Sequence, residues 1–176
     1  MGSLHRRLDR RTFLRLGAAA SGAAIGCRGG EPQPRSTAPV AMRYRPLGRT
    51  GLEVSEVTFG AHGVDDGALM QAALEAGVTT FFTSGSYLDG REEASVGDAL
   101  AAYSGDKRRV VVVTGEEIAA SATKAWILAR IDASLRRLRR ERIEVYCTFQ
   151  VSSPAQLRTE ALFEAFETAR AAGKVG

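Results

Sequence analysis

Along residues 42–176 the apolar positions switch repeatedly between two spacings. Short runs of consecutive apolar residues give way to stretches where apolar residues recur three and four apart, the signatures of strands and of helices with one buried side. The first stretch, MRYRPLGRTGLEVS (42–55), sets Tyr44, Leu47, Leu52 and Val54 around Gly48 and a Thr50-Gly51 turn, which predicts a hairpin. EVTFGAH (56–62) predicts a short strand ending in glycine. Asp65-Asp66 stands in capping position before GALMQAALEAG, where Leu69, Ala72, Ala73 and Ala76 predict the apolar face and Gly77 the stop. VTTFF (78–82) is the next strand, and REEASVGDALAAY (91–103) a helix with Val96, Leu100 and Tyr103 inward. RVVVVTG (109–115) is a continuous β-branched run, as expected of a parallel strand buried on both faces. TKAWILARIDASLRRLRR (123–140) places Ile127, Leu128, Ile131, Leu135 and Leu138 on one stripe, and IEVYCTFQV (143–151) is the fourth strand. Ser153 as cap and Pro154 at the first position open a last helix, with Leu162, Phe163, Phe166 and Ala169 inward and Gly173 at its end.

Four strands alternating with four helices predict an α/β protein with a parallel sheet, preceded by the β-hairpin. A doubly wound nucleotide-binding fold calls for Gly-x-Gly-x-x-Gly after a strand; FGAHGVDDG (59–67) is glycine-rich with the wrong spacing. The chain has 176 residues and a net charge of +4, but residues 1–26 hold five arginines against Asp9, which accounts for all of it. The body is neutral, so charge offers no argument for nucleic-acid binding. The basic run RRLRRER (136–142) reads as the solvated C-terminal end of a helix, where positive charge suits the dipole. Cys27 and Cys147, the only cysteines, give no disulfide or metal-ligand spacing.

The N-terminus reads as an address. DRRTFLRLGAAASGAAIGC (9–27) has a charged start and a mild apolar stretch of small residues, too short and weakly apolar for a retained membrane span. Arg10-Arg11 followed by Thr12-Phe13-Leu14 resembles a twin-arginine export signal over residues 1–27. AAIGC (23–27) resembles a lipobox, which implies lipid attachment at Cys27, with Ala24 where leucine is usual. RGGEPQPRSTAPVA (28–41) is a Pro/Gly-rich tether. The expected location is the periplasm, free or as a membrane-anchored lipoprotein.

The folded part, 42–176, resembles the aldo/keto reductase family. YRPLGRTGLEVSEVTFG (44–60), ALEAGVTTFFTS (73–84), GREEASVGDAL (90–100), ASLRRL (133–138), IEVYCTF (143–149) and AAGKVG (171–176) follow the family's order and spacing. The resemblance implies a (β/α)8 barrel that binds NADPH and reduces carbonyl groups. Such a barrel takes about 250 residues, so residues 42–176 are expected to form a parallel half barrel of four strand–helix units, the first half of a TIM barrel, stopping where a fifth strand would begin.

The family's chemistry uses an aspartate after its second strand, a tyrosine in the next loop, a lysine after its third strand and a histidine after its fourth. On this resemblance the aspartate position reads Thr83, the lysine position Gly115 and the histidine position Phe149. Tyr87 fills the tyrosine position, with a loop one residue shorter than the family's. Tyr87 is thus the candidate catalytic residue, without its partners. Tyrosine ionises near pH 10, and without a cation beside it is a poor proton donor at neutral pH. The expectation is an exported, reductase-like protein without standard NADPH-dependent activity, in a binding or scaffold role or as a truncated product. The alternative is a genuine oxidoreductase of the cell envelope, with NADPH as cofactor. His62, Glu116 and Glu117 are the ionisable residues left near strand ends. They form either a new constellation with Tyr87, or a loop histidine and two glutamates capping the third helix. Open strand edges predict a partner, as a homodimer or a second chain completing the barrel.

Overall fold

The computed structural model describes residues 41–176. The expected export signal (1–27), Cys27 and the tether up to residue 40 lie outside the described residues.

The hairpin forms where the pattern places it. β1 (Tyr44–Pro46) and β2 (Glu53–Ser55) pair antiparallel, Tyr44 opposite Ser55. Gly48 and Gly51 take left-handed backbone in the turn (φ 56° and 76°), which glycine adopts without a Cβ clash. The hairpin is stitched to the start of the second parallel strand. Ser55 Oγ accepts the N–H groups of Thr79 (3.0 Å) and Thr80 (3.1 Å), and the Tyr44 hydroxyl donates to the Gly77 carbonyl (2.8 Å).

The main sheet holds β3 (Thr58–Gly60), β4 (Thr80–Phe82), β5 (Val111–Glu117) and β6 (Val145–Phe149), all parallel and in chain order. Between and after them run α1 (Gly67–Glu75), α2 (Arg91–Ala102), α3 (Lys124–Leu138) and α4 (Glu160–Ala171). This is the expected parallel half barrel with its hairpin. Val175 forms a parallel bridge to Ile143, beside the start of β6.

The core lies between the sheet and the helices. Met70, Phe81, Val96, Val112, Ile127 and Ile131 are all fully buried there. Each such side chain stabilises the fold by roughly 1.5–3 kcal/mol relative to exposure. Three details differ from the sequence expectation. α1 buries Met70 and Leu74, whereas Leu69 is 50% exposed and Ala72 and Ala76 face outward. The helix turns its two bulkiest i, i+4 side chains inward because they bury more apolar area than the alanine face does. α4 begins at Glu160, capped by Thr159, after a separate 3₁₀ turn Pro154–Arg158; it buries Leu162, Ala165 and Ala169 and leaves Phe163 61% exposed. β5 runs on through Glu116 and Glu117, and α3 is capped by Thr123, whose hydroxyl accepts the Trp126 N–H; the two glutamates are strand residues, not helix caps.

Candidate functional site

Parallel strands deliver their C-terminal ends to one rim, where β/α proteins place their chemistry. Side chains alternate between the helix layer and the mouth side of the sheet. On β5, Thr114 and Glu116 face the helices: the Thr114 hydroxyl donates to Glu93 Oε1 on α2 (2.6 Å), and Glu116 takes a two-pronged pair from Arg130 on α3 (2.8 and 2.9 Å). Gly115, between them, faces the mouth side. On β4, Phe81 lies in the helix-side core and Phe82 on the other face, its ring 5.3 Å from that of Phe149 at the end of β6.

Thr83 follows on the Phe81 side. Its N–H donates to the Val113 carbonyl (2.9 Å), so the ladder continues through it, and its side chain is fully buried with Oγ1 unpartnered. The expectation that Thr83 ends the strand at the mouth is therefore one residue out, and a one-residue slip moves a side chain to the opposite face. Phe82 holds the mouth position. Counted from Phe82, the loop to Tyr87 is one residue longer than counted from Thr83.

Beyond Thr83 the chain is pinned to β5. The Gly115 carbonyl accepts the Ser84 hydroxyl (3.1 Å) and the Gly85 N–H (3.0 Å). Tyr87 opens a 3₁₀ turn, Tyr87–Gly90, and its half-buried ring lies edge-on to His62 (centroids 4.5 Å) and stacked with Phe149 (6.5 Å, planes 13° apart). His62 follows β3. Its neighbour Gly63 donates its N–H at 2.6 Å to Glu92, a fully buried carboxylate whose other oxygen is unpartnered.

The structure thus brings His62, Phe82, Tyr87 and Phe149 together in one aromatic row. It does not bring Glu116 to them, since that carboxylate sits in the helix layer on Arg130. Glu117 ends β5 exposed, opposite Phe149 in the register. Phe82 is the member missed in the sequence; the burial of Phe81, which fixes the alternation, is visible only in the fold.

Gly115 has no room for a side chain, because a Cβ there would collide with the Cys147 carbonyl of β6. Cys147 lies on the same face, half-buried, and burial pushes its thiol up from the usual range. It stays protonated at neutral pH and is a weak nucleophile. Tyr146, on the helix side, is pushed up further, first by burial and then by the nearby Glu116 and Glu93 charges.

A dinucleotide seated at the mouth row would need partners for its pyrophosphate. His62, Phe82, Tyr87, Gly115 and Phe149 offer ring faces, one phenol and one imidazole, and no guanidinium or ammonium for a pyrophosphate. The groove of about 600 Å³ that gathers Lys107, Arg108, Arg139, Arg140 and Arg142 lies before β5 and β6, at the opposite ends of the strands. These mouth residues do not fit NADPH phosphates.

A family model described as "Aldo/keto reductase family" matches residues 64–176. An uncharacterized oxidoreductase, YrpG of Bacillus subtilis (strain 168), is 29% identical over 156 residues, covering 76% of this chain and 47% of that protein. A rice protein (Oryza sativa subsp. japonica) named "Probable voltage-gated potassium channel subunit beta" is 36% identical over 81 residues, 42% of this chain and 25% of that protein. Among solved structures, the holo form of aldo-keto reductase AKR11C1 from Bacillus halodurans superposes with a TM-score of 0.62 at 27% identity, over 76% of this chain and 48% of that one. The chain spans about half the length, or less, of the relatives it matches.

Proposed function

The chain belongs to the aldo/keto reductase family, and from that premise we propose that it is an exported binding or scaffold protein without standard NADPH-dependent carbonyl reduction. One observation carries this reading: the mouth-facing positions at or near the ends of β4, β5 and β6 are Phe82, Gly115 and Phe149, with Glu117 exposed at the last residue of β5. In the family these positions supply an acid, a cation and a hydrogen-bonding imidazole around the tyrosine. Here two aromatic rings and a glycine surround Tyr87. Removing a single preorganised donor of this kind from an active site slows a reaction by about 10²–10³, and three such groups are replaced. What remains is an aromatic surface suited to holding a ligand or a partner. A relative named as a channel subunit supports the idea that this fold also serves in assemblies.

The reading includes export by the Arg10-Arg11 signal, lipid attachment at Cys27, and association through the open sheet edges, either as a homodimer or with a second chain. Cell fractionation checks the first, and the shift of Cys27→Ser from the membrane to the soluble periplasmic fraction checks the second. Sedimentation of the purified chain at micromolar concentration checks the third; a stable monomer overturns it. The central claim is tested by NADPH oxidation against an aldehyde panel, where no turnover above the no-enzyme rate is expected.

A second reading, an oxidoreductase of altered chemistry, is favoured by one contact: the His62 imidazole packs edge-on against the Tyr87 ring, so the two ionisable side chains of the mouth row are neighbours. Turnover that is lost in both His62→Gln and Tyr87→Phe would establish it.

A further inference from the structure

The turn that carries Tyr87 has an unusual backbone. Leu88 (φ 45°, ψ 41°), Asp89 (φ 56°, ψ 36°) and Gly90 (φ 83°, ψ 2°) are left-handed in succession. Two of them carry a Cβ that disfavours this region, and such a run persists only where its surroundings over-determine it. Local hydrogen bonds supply part of the hold: Tyr87 N–H donates to the Ser84 carbonyl and Arg91 Nε to the Leu88 carbonyl, both at 3.2 Å.

The rest comes from one side chain on α3. Tyr87 is bracketed by Gly85 and Gly90, both buried, and both lie against Arg137. A Cβ at Gly90 would stand 2.5 Å from Arg137 Nε and 2.6 Å from its Cδ. A Cβ at Gly85 would stand 2.8 Å from Arg137 Nη2 and overlap Glu116 Oε1. The guanidinium is itself fixed. Its Nε donates to Glu93 Oε2 (2.6 Å), and the other oxygen of the fully buried Glu93 accepts the Thr114 hydroxyl of β5. Arg137 came from a run expected to be solvated, yet its side chain is only 23% exposed.

We infer that Arg137 is the positioning residue of the Tyr87 corner. Held by Glu93, its flat guanidinium is the surface on which the Gly85–Gly90 backbone is moulded, and this sets the Tyr87 ring against His62 and Phe149. A lysine keeps the charge but has no planar fork to fill the space beneath both glycines. The inference rests on the reading that the Tyr87 mouth is the functional end of the molecule, whether for binding or for turnover.

The experiment is proton NMR of the full chain, reading the nuclear Overhauser contact between the His62 and Tyr87 rings. The sequence has two histidines, so His62→Gln assigns the signal. Arg137→Lys and Gly90→Ala are expected to lose that contact while keeping the Phe59–Phe81 core contact, whose rings are 5.3 Å apart. Gly173→Ala is the control. It has the same backbone sign (φ 73°) with nothing within 4 Å of its Cβ, and is expected to keep the His62–Tyr87 contact. Wild-type contact intensity in Arg137→Lys and Gly90→Ala overturns the inference. If Arg137→Lys fails to fold, Gly90→Ala and Glu93→Gln decide by the same contact. The measurement needs no turnover, so an active reductase would overturn the functional reading and leave this result standing, and the converse also holds.

Discussion

On β5, alternate residues belong to two different environments. Thr114 and Glu116 reach into the helix layer and end on Glu93 and Arg130, in a buried network that also holds Arg137. Val113 and Gly115 face the other way, on the side that Phe82, Val145, Cys147 and Phe149 share. The buried ion pairs at β5 lie behind the sheet, where they tie strands to helices. The mouth, where a β/α protein usually keeps its ionisable groups, is lined mainly with rings, His62 and Tyr87 among them, with Glu117 exposed at the end of β5. The comparison separates what holds the fold from what the fold presents, and it makes the helix side the fragile one.

The sharpest way to break that contrast is Glu93→Ala. It leaves Arg137 and the Thr114 hydroxyl without their buried partner, and removing one member of a buried pair costs about 3–5 kcal/mol. Urea unfolding should show that loss. Glu53→Ala, which removes an exposed ion pair with Arg109, should cost no more than about 1 kcal/mol. Equal losses at the two sites would erase the distinction.

Gly115→Ala tests whether the mouth side is uniformly tolerant. Its Cβ runs into the Cys147 carbonyl, so a loss of about 1–3 kcal/mol is expected. Gly60→Ala, on the neighbouring part of the sheet with nothing within 4 Å, should change stability by no more than about 0.5 kcal/mol. Gly115→Lys should destabilise at least as much as alanine and should not produce NADPH oxidation, since the added side chain must first displace the β6 backbone.

Tyr146 gives the helix side a pH signature. Burial and the Glu116 and Glu93 charges raise its phenol in the folded protein. The unfolded chain therefore releases this proton first, near pH 10, while the folded chain still holds it. The contribution is fully present below pH 10 and is lost as pH rises above it, at up to about 1.4 kcal/mol per pH unit. Stability of Tyr146→Phe should fall less steeply than wild type between pH 10 and 11.

Much of this contrast was hidden in the sequence for identifiable reasons. The parallel order was legible because RVVVVTG and the stripe from Ile127 to Leu138 each fit one spacing only. The α1 face was not, because four alanines give little contrast and Met70 was outweighed by Leu69 in the pattern. Phe163 repeats that failure on α4, where a large residue sits outside and Ala165 inside. The mouth reading is one residue out at Thr83 because VTTFF sets two threonines and then two phenylalanines side by side, with no alternation to fix its phase, whereas Phe81 in the core fixes it at once. Tyr87, Gly115 and Phe149 were found as positions, but the Arg137–Glu93 pair joins residues 44 apart and no local spacing announces it.

The smallest expected effect on stability is also the one that separates the two functional readings. Tyr87→Phe keeps the ring that touches His62 and Phe149 and removes only the hydroxyl, which has no hydrogen-bond partner among the described residues. Its unfolding midpoint should match wild type to within about 0.5 kcal/mol. Under the binding reading, wild type and Tyr87→Phe oxidise NADPH with aldehydes at the same rate as buffer. Under the oxidoreductase reading, wild type exceeds buffer and the variant falls by at least about 10², the loss expected when a proton-transfer group is removed. Because the fold is unchanged in both cases, a difference in turnover between these two proteins reports the phenol alone, and would make the mouth a site of proton transfer.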